Sequence, residues 1–225
     1  MLIFLLAGNY LLVGAVRLGL RYDKTTCESS IDGWTFFNNS LDFTMLQRTY
    51  KVPGKPQDSI CVKAAFQPLH YGSHVLRKTF TYRNMSSTYK LSDTNVTYWP
   101  IAWMRMHFYM YGTQQLLNFV NSTILNSWYG YSLPPPYWRF IYVQEHCAVV
   151  RVPSPEYEPS STEDFNDTWK PPCELWVNLG EKNMTEFDRL STCCKNVFEE
   201  KCNTTHVYQV FVPENCTLRS TYPQQ

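Results

Sequence analysis

Four of the eight cysteines lie in the run PPCELWVNLGEKNMTEFDRLSTCCKNVFEEKC, Pro171 to Cys202. Metal ligation, thiol redox chemistry and disulfide stapling are therefore the first chemistries to weigh. Zinc sites want C-x2-C pairs, repeated or joined to paired histidines. Cys193 and Cys194 are adjacent instead, and consecutive side chains generally diverge towards different partners. With Cys27, Cys61, Cys147, Cys173, Cys202 and Cys216 they make an even set. In an exported chain such a set implies up to four disulfides, with many pairings open on paper.

Catalytic chemistry finds little support. His70 and His74 are four apart, a spacing that suits two ligands on a helix, but their surroundings read as strand and turn and no glutamate lies between them. His146 follows an apolar run and reads best as a satisfied edge residue. No nucleophile elbow, phosphate-cradling glycine loop or dinucleotide fingerprint occurs. We expect no enzyme activity, metal or cofactor.

Binding is the chemistry that remains. Tyr98, Trp99, Trp103, Tyr109, Tyr111, Tyr142 and Trp176 sit in strand-like sequence. Such amphipathic aromatics line pockets that hold a mostly apolar ligand and offer it a few directed polar groups. An amine-bearing ring would gain further from an aromatic face and a carboxylate, with Asp32, Asp93, Glu145 and Glu174 as candidate acids. Each aromatic also suits plain core packing, because alternate strand positions fill a core with or without a ligand.

These residues belong to a chain of 225 residues, enough for one compact domain with a real core. Net charge is +1 and the charged fraction, 17%, is below the roughly 25% of soluble domains. Nothing marks a polyanion-binding surface, so nucleic acid is a poor partner. Polarity has another source: Asn-x-Ser/Thr acceptors begin at Asn38, Asn84, Asn95, Asn121, Asn166, Asn183, Asn203 and Asn215, a density that suits a glycoprotein. Residues 1–20 read as an apolar export segment, although Asn9 and Arg17 interrupt it and a basic start is missing; a buried helix or membrane anchor is the competing reading. No later stretch is long and apolar enough to span a membrane. Residues 21–225 are expected to form a single secreted domain, most simply a monomer.

The elements that must position the candidates are mainly strands. Ser29 or Ser30 suits the cap of a short helix broken by Asn38-Asn39-Ser40, and a second helical piece is expected around Leu41 to Leu46. From Ile60 the period moves towards two, most plainly where Met104, Met106, Phe108 and Met110 alternate with Arg105, His107, Tyr109 and Tyr111. Pro153 to Pro172 reads as an acidic, proline-rich surface loop; CELWV resumes as strand, and MTEFDRLSTCCKNVFEEKC reads as an amphipathic helix with Thr185 as candidate cap. Seven or eight antiparallel strands favour closure into a barrel, with a two-sheet sandwich as the competing fold. Eight strands leave room for one small ligand.

At its two ends the chain resembles the salivary lipocalins of ticks, the family of the histamine-binding proteins. CAVVRV, a loop, CELWV, then CCKNVFEEKC and VYQVFVPENC are similar to that family's C-terminal half, and Asp32-Gly33-Trp34 resembles the Asp-Ala-Trp of its opening helix. The likeness spans Cys27 to Cys216; the central strands support it only through their alternation. It implies an all-β fold: an eight-stranded antiparallel lipocalin-type barrel with an N-terminal helical segment and a C-terminal helix, disulfide-stapled.

The likeness also implies secretion in saliva and stoichiometric sequestration of a host mediator. That mediator is most simply histamine or serotonin; the alternatives are a leukotriene or thromboxane, or a host protein such as complement engaged through Pro153 to Pro172. The family's pairings would match Cys61 with Cys194 and Cys147 with Cys173, leaving Cys27 with Cys193 and Cys202 with Cys216. The expected ligand-binding set is Trp34, Asp32, Glu174, Trp176, Glu145, Tyr98, Trp103, Tyr109 and Tyr142. One departure weakens the amine reading. Amine-binding relatives carry an acid immediately after the cysteine of the CAVVRV strand, where this chain has Ala148, and the lost charge-assisted bond is worth about 1.5–3 kcal/mol.

Overall fold

Alternation becomes architecture most directly in β5, Ile101–Tyr109, where Met104, Met106 and Phe108 point inward and are buried while Arg105 and His107 face out. Met110, expected to continue the inward stripe, lies just past the strand and is 55% exposed. The computed structural model describes residues 27–29, 31–39, 41–70, 73–91, 94–113, 115–153, 170–178 and 191–216. The export run, Asp93, the acidic loop 154–169 with Asn166, and 179–190 with Asn183 and Thr185 lie outside the described residues.

Around β5 the chain forms β1 (Phe43–Arg48), β2 (Ile60–His70), β3 (Val75–Leu91), β4 (Thr94–Tyr98), β6 (Phe119–Trp128), β7 (Tyr137–Val143), β8 (Cys147–Arg151), β9 (Cys173–Val177) and β10 (Tyr208–Gln209). All pairings are antiparallel, in the order β1-β2-β3-β5-β6-β7-β8-β9, and β9 pairs back onto β1. The hydrogen-bond ladder thus returns to its start. β4 extends β3 as a hairpin arm, and β10 adds to β1.

Two short expectations give way. Leu41 to Leu46 is not helical: Phe43–Arg48 is a strand held on both sides by β2 and β9, and tertiary pairing overrides weak local preference. The opening helix α1, Gly33–Phe37, is capped by Asp32 rather than a serine. Ser29 instead binds the end of β7, its Oγ donating to the Val143 carbonyl and accepting from the Val143 N–H.

α1 closes one end of the ring. Phe36 and Phe37 enter the interior and pack on Phe43, with ring centroids 4.7 and 4.5 Å away, while Phe37 also meets Trp138 and Phe140. Gly33 permits this approach, since a Cβ there would lie 2.3 Å from the Phe140 ring. Lys78, on the inner side of β3, is buried as well. Its ammonium donates to the carbonyls of Asn39 and Leu41 and lies 4.8 Å from the Phe43 ring centre, tying down the segment after α1.

A second apolar cluster lies outside the ring, under α2 (Thr192–Lys201), where Leu175, Val177 and Val149 meet Phe198. Here the disulfides correct the family-based pairing. Cys27–Cys193 forms as expected, but the other bonds are Cys61–Cys216, Cys147–Cys194 and Cys173–Cys202, and no described cysteine is free. Cys147 and Cys173 stand at opposite ends of the β8–β9 ladder, Cys147 opposite Val177 and Cys173 opposite Arg151. Four strand residues separate them by about 13 Å, too far for a direct bond. Cys194 and Cys202 are eight residues apart along α2, about 12 Å, so the helix lies across the ladder and bonds both strand cysteines. Cys61 instead meets the tail, where its N–H donates to the Val210 carbonyl and α3 (Pro213–Cys216) brings Cys216 alongside.

Candidate functional site

Away from α1 the described residues do not fill the ring interior. A cavity of about 440 Å³ opens there, its wall built from Met45, Val62, Phe80, Trp138, Val152 and Trp176 and its rim from Lys51 to Pro53, Tyr131, Leu133, Pro134 to Pro136, Pro153 and Pro172. This falls within the range of roughly 300–1,000 Å³ typical of small-ligand pockets. The prolines hold much of the rim in preset backbone angles, so it costs little entropy to order.

The polar part of the wall is concentrated on β1 and β9. Arg48 and Glu174 are directly opposed in the ladder, and both line the cavity. Alternation along β9 turns Glu174 and Trp176 inward and Cys173, Leu175 and Val177 out to the cluster under α2. Both Glu174 carboxylate oxygens are engaged: Oε1 accepts from the Tyr50 hydroxyl, and Oε2 accepts from the Trp176 indole N–H at 2.6 Å. The Arg48 guanidinium donates to Ser59 Oγ at 2.7 Å and to the Ser59 carbonyl at 3.4 Å, while its buried Nε has no partner.

Burial sets the electrostatics. It raises the Glu174 carboxyl above its ordinary value, against the opposing pull of the Tyr50 and Trp176 hydrogen bonds and the Arg48 charge. Burial also raises Tyr50 well above its usual value, reinforced by Glu174, and lowers Arg48. Tyr131 at the rim is driven up chiefly by burial and so stays a neutral phenol. The result is a compact group of opposed charge and phenol at one side of an otherwise apolar chamber.

Of the nine expected binding residues, the cavity gathers Glu174 and Trp176. Asp32 and Trp34 lie at the closed end. The Asp32 carboxylate accepts from the Thr35 N–H at 2.8 Å and the Leu117 N–H at 3.2 Å, and Trp34 packs edge-on against His74 and Phe108. Glu145 is in the β7–β8 turn, its side chain 84% exposed and 3.7 Å from His146 Nε2. Tyr98, Trp103 and Tyr109 occupy outer strand positions, packing on Tyr89, Trp128 and Phe119 respectively. Tyr142 is turned outward by a shift in register between Phe140 and Tyr142; it joins the cluster under α2 and donates to the Glu28 carbonyl. Ala148, where an acid was looked for, is fully buried opposite Trp176.

Arg48, Tyr50 and Tyr131 were not anticipated. The register of β1 against β9 shifts between Met45 and Gln47, so the inward residues Met45 and Arg48 are three apart and strict alternation misses the arginine. A cation closing the apolar run FTMLQR was the available signal.

A closed antiparallel ladder around a part-filled interior with a polar-tipped cavity defines a ligand-binding β-protein. The model of the tick histamine-binding protein family matches residues 23–218, and the chain belongs to that family, whose members bind ligands rather than turn them over. Comparison with curated proteins finds no match. Among solved structures, one similar chain is Japanin from Rhipicephalus appendiculatus bound to cholesterol, 11% identical, with a TM-score of 0.43 over 73% of this chain and 88% of that one.

Proposed function

We propose that this chain is an exported, lipocalin-type eight-stranded barrel that sequesters a largely apolar host mediator with one polar end, a lipid of the leukotriene or thromboxane kind. The observation that carries this reading is the state of Glu174. Both its oxygens already accept a hydrogen bond and Arg48 faces it, so the one acid among the described lining residues is already engaged within the protein. An ammonium would compete with Arg48 for that carboxylate. A ligand carboxyl or hydroxyl instead meets Arg48, Tyr50 and Tyr131, with Lys51 at the rim, while its hydrocarbon lies along Phe80, Trp138 and Trp176. A single-ring amine would leave most of the chamber unfilled. Fully paired cysteines and the density of glycan acceptors support export.

The test is calorimetric titration of the secreted chain with an eicosanoid, histamine and serotonin. One-to-one saturation by the eicosanoid alone is expected, and a Glu174→Gln variant should hold it within about threefold. Amine binding lost tenfold or more in that variant, about 1.4 kcal/mol, would replace this reading with the amine one. Failure of all three ligands would remove a small-molecule role of these classes.

A further inference from the structure

The outer face of β5, β6 and β7 carries an aromatic patch with a glycan acceptor in its middle. Side chains two apart on a strand share a face, so Phe119, Asn121 and Thr123 of β6 point outward together. Pairing sets Phe119 between Tyr109 and Arg139, and Asn121 between His107 and Tyr137. Directly opposed Cβ atoms are about 4.5–5.5 Å apart, so Asn121 rises from among these rings. Phe119 has Tyr111 and Tyr109 at 5.2 and 5.8 Å and the Arg139 guanidinium at 5.4 Å. Tyr111 and Tyr137 are 52% and 51% exposed, and nothing in the described protein covers them.

We propose that Asn121 carries an N-linked oligosaccharide whose first sugars pack over Phe119 and Tyr111, covering this patch. The inference rests on the reading of the chain as exported. In the secretory compartment the Asn121 carboxamide nitrogen attacks C1 of an oligosaccharide carried on a polyisoprenyl pyrophosphate. The C1–Nδ2 bond forms, the C1–O bond to phosphate breaks, and the polyisoprenyl pyrophosphate and one amide proton leave. The axial C–H bonds of a pyranose present an apolar, weakly positive face that suits the negative face of an aromatic ring.

Asn121 stands apart from the other described acceptors in this respect. Two residues before Asn38 and Asn84 are Phe36 and Tyr82, both buried in the core and out of reach of a sugar. Two residues before Asn95, Asn203 and Asn215 are Asp93, Lys201 and Pro213.

The experiment is site-by-site mass spectrometry of the full chain secreted from insect cells, after glycosidase release in heavy-oxygen water, with thermal unfolding of wild type and variants. Occupancy at Asn121 is expected, with a Tm for Asn121→Gln lower by about 2–4 °C and no such drop for Asn203→Gln. In Phe119→Val the Tm difference between the intact and enzymatically deglycosylated protein should fall by half or more. Should that variant fail to fold, exposed Tyr111→Ser is expected to reduce the same difference. Occupied sites elsewhere with Asn121 bare would overturn this inference and leave export standing, whereas no occupied site would overturn both. An occupied Asn121 whose loss leaves Tm unchanged would overturn the packing.

Discussion

The two ends of the strand ring are built on the same alternation yet one is solid and the other hollow. At the closed end α1 inserts Phe36 and Phe37 among Phe43, Phe108 and Phe140. At the open end no such plug enters from among the described residues, and Arg48, Tyr50 and Glu174 hold inward positions that demand hydrogen-bond partners rather than close apolar neighbours. Trp176 stands between the two, touching Phe37 on one side and lining the cavity on the other, with ring centroids 6.1 Å apart. An inward-facing residue is therefore not by itself a ligand residue. What decides is whether a neighbouring element fills the space in front of it.

The strongest test of this contrast is to cut one apolar side chain at each end. Phe37→Ala should cost about 3–5 kcal/mol in denaturant unfolding, because the surrounding rings cannot close on the void. Leu133→Ala, at the already open rim, should cost less than about 1 kcal/mol and act on ligand affinity instead. Equal costs would mean that the hollow end is as tightly packed as the closed one.

Next in size is the staple across the outer face. Removing Cys147–Cys194 by a double serine substitution should cost about 2–4 kcal/mol, and α2 should lose part of its amide-exchange protection near Cys194, where Cys27–Cys193 remains, while Cys173–Cys202 still anchors its far end. Uniform loss of protection along α2 would show that Cys27–Cys193 and Cys173–Cys202 together do not hold it.

Much of this division was legible beforehand, and the reasons for the rest are local. Met104, Met106 and Phe108 declared their strand because the period is unbroken there, and the adjacency of Cys193 and Cys194 announced two different partners. The shared inward face of Glu174 and Trp176 was legible because β9 alternates cleanly between two buried faces. The register shifts in β1 and β7 hid Arg48 and turned Tyr142 outward, since one extra residue inverts the face of all that follows. Asp32 was ambiguous for another reason. A helix cap and a ligand acid ask for the same side chain, and only the Thr35 and Leu117 N–H groups reveal which role it fills.

A smaller, pH-dependent difference comes from Lys78. Burial lowers its pKa from 10.5 to about 8. Between these values the unfolded chain holds a proton that the folded chain has released, so the Lys78 contribution to stability rises as pH climbs from about 8 to 10.5. Denaturant midpoints measured across that window should rise relative to those of Lys78→Met, which lacks the titrating group. Parallel profiles would show that the carbonyls of Asn39 and Leu41 keep the ammonium charged in the fold.

The smallest expected effect is the most direct check on where the ligand sits. Asp32→Ala removes the acceptor of the Thr35 and Leu117 N–H groups and should cost about 0.5–2 kcal/mol, as helix caps do. Ligand affinity should not change, because Phe36, Phe37 and Phe43 close off the interior between Asp32 and the cavity. A tenfold loss of affinity with stability intact would place a second binding site at the closed end, and the contrast between the two ends would then be one of ligand rather than of packing.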